Sequence, residues 1–101
     1  MLAEFSVVPL GQGESVSKYV AECLKIVEAS GVPYKINPMG TVLEGDYDRV
    51  MDVIKQCHIR VMSMSMRCIT SIKIDDRKGA DQALESKIRS VESHVGKTLS
   101  R

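Results

Sequence analysis

The chain has 101 residues, 44% of them hydrophobic and 27% charged, the proportions of one folded domain running over residues 1–101. Fourteen Lys and Arg against thirteen Asp and Glu leave a formal charge of +1, so the basic footprint of a nucleic-acid or anionic-membrane binder is missing. Three Tyr, one Phe and no Trp leave few rings for stacking on bases.

Residues 2–9 alternate: Ala3, Phe5 and Val7 point one way, Glu4, Ser6 and Val8 the other. That is the signature of a half-buried strand. The opening MLAEFSVVPL has no basic region before its apolar run and carries Glu4, so it does not read as a signal peptide. No apolar stretch approaches a membrane span, and the expected location is cytoplasmic. Gly11 and Gly13 break the strand, and Ser15 is the expected N-cap of a helix. Val16, Tyr19, Val20, Cys23, Leu24 and Val27 recur at spacings of three and four, an amphipathic stripe. Gly31 stands where a left-handed C-terminal residue is expected, and Pro33 forbids continuation. Two short strands follow, at 34–37 and 41–44, joined as a hairpin through Pro38-Met39-Gly40.

Asp46 is the expected cap of a second helix with the stripe Tyr47, Val50, Met51, Ile54, Cys57, His58 and Val61. Its end falls within Met62–Met66, where the alternation of Met and Ser has period two and no Gly marks a stop. A fourth strand covers 67–75, with Thr70, Ile72 and Ile74 on one face and Ile69, Ser71, Lys73 and Asp75 on the other. After a turn at 76–79, Leu84, Ile88, Val91 and Val95 form the narrow apolar seam of a third helix.

The order β-α-β-β-α-β-α joins two strand–helix–strand units through a hairpin. With right-handed crossovers this predicts an α+β, ferredoxin-like βαββαβ sandwich with an additional C-terminal helix. The expected sheet order is fourth, first, third, second strand, with both long helices on one face. The other face carries Glu4, Ser6 and Val8 from the first strand and Ile69, Ser71 and Lys73 from the fourth. In the third strand Glu44 would be costly in a core, so Val42 and Glu44 face outward and Thr41 and Leu43 face the helices. A face mixing aliphatic and ionisable groups suits a contact between copies of the chain or a pocket for a small polar ligand.

Cys23, Cys57 and Cys68 are odd in number, widely spaced and without a CxxC pair. They read as free thiols rather than as a disulfide framework or zinc site. His58 lies at the edge of an apolar stripe and reads as a packed, hydrogen-bonded residue, and His94 as an exposed one. No His, Cys or acidic residues share a metal-ligand spacing. Gly11, Gly13 and Ser15 are a weak anion-binding candidate at a helix N-terminus, although neither full phosphate-loop pattern is present. A plain flexible turn is the simpler reading. An acyl-phosphate hydrolase on this fold would want an arginine in the first strand–helix loop, and PLGQGES has none. No catalytic residue and no cofactor are assigned.

Several strings are familiar: SVVPLGQGESVSKYVAECLKIVEASG, YKINPMGTVLEGDYDRVMDVIKQCH and TSIKIDDRKG with the later ESKIRSVE. Together they resemble the small thiamine-binding protein family, single-domain relatives of the YkoF-like proteins, over nearly the whole chain. One departure is MSMSMRC, where the family usually has a Gly between the second helix and the last strand. The resemblance implies a ferredoxin-like fold, dimers pairing into tetramers, and non-enzymatic binding of thiamine or a related aminopyrimidine. A thiamine site wants a carboxylate near the cation, an apolar or aromatic wall and a few fixed donors and acceptors. Glu44 is the first choice for the contact with the cation, Ser6, Thr41 and Asn37 are the candidates for the other polar contacts, Tyr34 for the wall, and Lys73 for a further charged contact. An ion pair between Glu44 and Lys73 or Arg67 is the purely structural alternative. The alternatives in function are a structural or regulatory homo-oligomer that binds sulfate or phosphate, and a small hydrolase on the same fold.

Overall fold

Along strand β1 (Leu2–Pro9) every second side chain is buried, beginning with Ala3, Phe5 and Val7. In the computed structural model, which describes residues 1–11, 13, 16–78, 91 and 96, β1 is followed by helix α1 (Ser17–Ser30) and the hairpin strands β2 (Tyr34–Asn37) and β3 (Gly40–Glu44). Helix α2 (Tyr47–Met62) and strand β4 (Cys68–Asp75) complete the described elements. They form an antiparallel four-stranded sheet of order β2-β3-β1-β4, the order expected from the sequence.

The register sorts the side chains. Ala3 pairs with Leu43 and Ile74, and Phe5 with Thr41 and Ile72. Paired residues share a face, and this is the face on which α1 and α2 lie. Tyr19, Cys23 and Val27 of α1 and Val50, Val53, Ile54, Cys57 and Val61 of α2 close the core over it. Leu43 and Val50 are wholly buried; burying one such side chain is worth about 1.5–3 kcal/mol. The opposite face carries Glu4 between Lys73 and Val42, Ser6 opposite Ser71, Val8 opposite Ile69, and Leu2 opposite both Glu44 and Asp75. No described helix covers it.

Local chemistry sets the ends of the helices. The Asp46 carboxylate accepts a hydrogen bond from the Arg49 N–H at 2.9 Å, satisfying one of the helix's free donors. Gly31 ends α1 at φ 74°, with its N–H donating to Glu28 O. The end of α2 is handled without glycine. The Ser63 N–H donates to Ile59 O at 3.0 Å and its hydroxyl to Arg60 O at 2.6 Å, while the Ser65 hydroxyl donates to Val61 O at 2.8 Å. Two serines thus satisfy carbonyls that a glycine turn otherwise serves.

The structure differs from the sequence reading in several places. The cap of α1 is Val16, with no side-chain cap bond; the expected cap, Ser15, lies outside the described residues. Strand β3 begins one residue earlier and β4 one residue later than expected. Tyr47 and Val20 are exposed, whereas Val53, absent from the expected stripe, is buried. Ile72 and Ile74 face the helix side as expected, yet each is about two-fifths exposed, because α2 packs chiefly over β1 and reaches β4 only at its margin. Of the expected third helix only Val91 is described, with its side chain exposed; Leu84, Ile88 and Val95, and also His94, lie outside the described residues.

Candidate functional site

Strand length creates a cavity. β1 has eight residues and β3 five, and their ladder stops at Phe5 and Thr41. Beyond that point β1 stays paired with β4 through Pro9, but its other edge, from Ser6 to Val8, faces a cavity instead of a strand. The start of α1 roofs this space with Val16, Val20 and Cys23, and the hairpin closes one side with Ile36, Asn37, Pro38 and Met39. The volume is about 170 Å³. Most of the lining is apolar; Ser6, Asn37 and Thr41 are its polar side chains. Such a site takes one flat ring, being smaller than the roughly 300–1,000 Å³ of sites for drug-sized molecules.

The hairpin is held close to β1 at one point. A Cβ on Gly40 would lie 3.0 Å from Phe5 O and 3.4 Å from the Glu4 side chain, so any larger residue would push the hairpin off β1 by a few tenths of an ångström. Met39, at the tip, is 87% exposed and borders both this cavity and a smaller one of about 110 Å³ on the open face, which Glu4, Ser6, Ser71 and Lys73 line.

The six expected ligand-binding residues therefore divide. Ser6, Asn37 and Thr41 come together at the hairpin end. Lys73 stands opposite Glu4 on the open face and shares the smaller cavity with Ser6. Glu44 lies three residues along β3 from Thr41, roughly 10 Å at about 3.3 Å per residue, and on the outward face. Tyr34 pairs with Leu43, which puts it on the helix side; its hydroxyl donates to the Glu28 carboxylate at 3.4 Å. Neither Tyr34, Glu44 nor Lys73 lines the cavity beside α1. Of the anion-binding candidates, Gly11 and Gly13 have φ of 75° and 86°, and Ser15 lies outside the described residues.

The sequence reading missed the apolar walls Val16, Val20 and Ile36, because a cavity between three chain segments leaves no local spacing to detect. His58 is packed, with Nδ1 2.6 Å from Thr70 Oγ1 and 3.7 Å from Cys68 Sγ. Among the described residues, no three or more His, Cys, Asp or Glu side chains gather as a metal site would require. No helix among them is long and apolar enough to cross a membrane.

The chain is similar to known proteins over most of its length. A relative from Methanothermobacter thermautotrophicus, a UPF0045 protein, is 41% identical over 96 residues, covering 92% of this chain and 97% of the relative. The UPF0045 protein MJ1052 of Methanocaldococcus jannaschii is 38% identical over 91 residues, covering 90% of this chain and 91% of the relative. Its crystal structure superposes with a TM-score of 0.84, covering 89% of this chain and 93% of that one, at 39% identity. A Thermotoga maritima structure provisionally named for thiamine biosynthesis or salvage shares the fold, with a TM-score of 0.78 at 20% identity over 89% of this chain and 96% of that one. The sequence profile of the Thiamine-binding protein family matches residues 3–92, and the chain belongs to that family.

Proposed function

We propose that the protein is a non-enzymatic binder of thiamine or a related aminopyrimidine, and that the ring enters the cavity beneath the β2–β3 hairpin. The observation that carries this reading is the cavity itself, a mostly apolar slot with Ser6, Asn37 and Thr41 at its rim and an unladdered strand edge along one side. An aminopyrimidine carries donor and acceptor atoms along one edge. A strand edge presents N–H and C=O groups in the same alternation, and the apolar walls exclude water from both ring faces. Family membership supports the ligand class. The rest of a thiamine molecule would extend from the mouth past Met39.

Titration calorimetry with thiamine and with its aminopyrimidine half tests this. Both are expected to bind. Asn37→Ala is expected to weaken binding by about tenfold, the worth of one good hydrogen bond in a partly buried site, and Glu44→Gln to leave it within about twofold. The reverse ranking would move the site to the open face and restore the carboxylate as the main contact. No binding of either compound would remove the reading.

The open face supports a second part of the proposal, self-association into dimers or tetramers in the cytoplasm. Val8 and Ile69 are paired neighbours there, 41% and 50% exposed, and the Ser6–Ser71 pair separates them from the oppositely charged neighbours Glu4 and Lys73. Exposed aliphatic groups with complementary charges further along the same strands suit a contact between identical surfaces.

A further inference from the structure

The roof of the hairpin cavity contains a thiol. Cys23 of α1 lines the cavity and keeps 8% of its surface, whereas Cys57 of α2 is completely buried directly behind it. Each reaches toward the other's backbone: Cys23 Sγ lies 3.9 Å from Cys57 O, and Cys57 Sγ lies 3.6 Å from Cys23 O. Both side chains therefore point into the same contact between α1 and α2, although 34 residues separate them in sequence. Cys23 borders the cavity and Cys57 does not.

We propose that Cys23 and Cys57 form a modification site, in which Cys23 reacts with a small peroxide that enters the hairpin cavity and Cys57 then closes a disulfide between the two helices. The size of the cavity selects the oxidant class. At about 170 Å³ it admits hydrogen peroxide, while a bulky peptide disulfide is too large. In the first step the Cys23 thiolate attacks one peroxide oxygen. An S–O bond forms, the O–O bond breaks, and the departing hydroxide takes up a proton to become water. Cys23 is oxidised by two electrons to the sulfenic acid, and the peroxide is reduced. In the second step Cys57 Sγ attacks Cys23 Sγ. The S–S bond forms, the S–O bond breaks, and hydroxide leaves with the Cys57 proton as a second water.

The electrostatics agree with this division of roles. The side-chain hydrogen bond with Cys57 lowers the Cys23 pKa from its ordinary value, against burial and the negative charge of Glu22, which both raise it. The same interaction, with burial, raises that of Cys57. The thiolate is the reactive form, so the cysteine that borders the cavity is also the one more readily ionised. Cys68, partly buried beside His58, serves as an internal control.

The test treats the reduced full chain with hydrogen peroxide under native conditions, alkylates the remaining thiols and maps the peptides. The expected product has lost two hydrogens, links Cys23 to Cys57, leaves Cys68 alkylated and reverts with dithiothreitol. In Cys57→Ser, dimedone is expected to trap a sulfenic acid on Cys23, and in Cys23→Ser oxidation of Cys57 should be about tenfold slower. If a variant does not fold, as circular dichroism would show, the wild-type peptide map decides alone. Recovery of Cys23 and Cys57 as alkylated thiols while Cys68 is consumed would overturn the proposal, as would a link that appears only in urea. Thiamine seated in the cavity should slow the oxidation. Oxidation that thiamine does not slow would count against the proposed ligand site and leave the thiol pair standing.

Discussion

Leu43 and Val42 are neighbours in β3, yet Leu43 is wholly buried beneath the helices while Val42 looks out from the uncovered side. The same division runs through β1, where Phe5 is 4% exposed and Val8 41%. Both sides of the sheet are made by the same strands with the same alternation. What separates them is the company each keeps. On the helix side two amphipathic helices meet the strands and the core is apolar and closed, except along β4, where Ile72 and Ile74 stay partly exposed, and at the hairpin end, where β3 falls short of β1 and a cavity remains. On the other side charge and aliphatic groups lie interleaved. The lesson is that on this sheet the side a residue faces is a matter of parity, whereas the position of a site depends on where the strands stop.

The contrast can be tested on adjacent residues. Leu43→Ala should cost about 2–5 kcal/mol of unfolding free energy in a denaturant titration, through lost burial and the cavity left behind. Val42→Ala should cost well under half of that. Equal losses would mean that the open face is as closely packed as the core. A smaller effect is expected from Val8→Lys. A single charge on an exposed strand position should shift unfolding by roughly 0.5 kcal/mol or less, while lowering the assembly state seen by sedimentation velocity. A wild-type protein that sediments as a monomer at micromolar concentration would remove the self-association reading. The smallest effect belongs to the outer surface of the helices. There Glu22 accepts from Lys25 at 3.1 Å and from Arg60 at 3.4 Å. The hydrogen bond from Lys25 is the main cause that holds the Glu22 carboxyl below its ordinary value of 4.5, with the charges of Lys25 and Arg60 adding to it. A depressed folded-state pKa gives stability that is present above the unfolded value and is lost as pH falls through the folded one. The difference between wild type and Glu22→Gln should therefore be small at neutral pH and vanish as acid protonates the carboxylate in the folded protein.

Much of the fold could be read from the residues because burial on sheets and helices repeats with fixed periods. Alternation placed β1 and β4, and the cost of burying Glu44 set the parity of β3. Asp46 marked the start of α2 by its capping chemistry. Val53 lies off a stripe that runs through Tyr47, and because Tyr47 is exposed the buried face is turned toward Val53 instead. The end of α2 escaped because the hydroxyls of Ser63 and Ser65 cap it instead of a glycine. The site was less readable. Parity correctly put Ser6 and Glu44 on the open face, but a face says nothing of which end of the strand a residue occupies. Only the register shows that Ser6 lies at the hairpin end and Glu44 at the other. Tyr34 followed its pairing with Leu43 to the helix side, where its hydroxyl finds Glu28. Likewise the spacing of Cys23 and Cys57 carries no hint that two helices bring them together.

A crystal structure of the protein grown with thiamine tests the central claim most directly. The account predicts an aminopyrimidine ring beneath the β2–β3 hairpin, between Val20 of α1 and the Ser6–Val8 edge of β1, with Asn37 or Thr41 in hydrogen-bond contact. Density for the ligand on the open face beside Glu44 and Lys73, or an empty hairpin cavity at saturating thiamine, would contradict it.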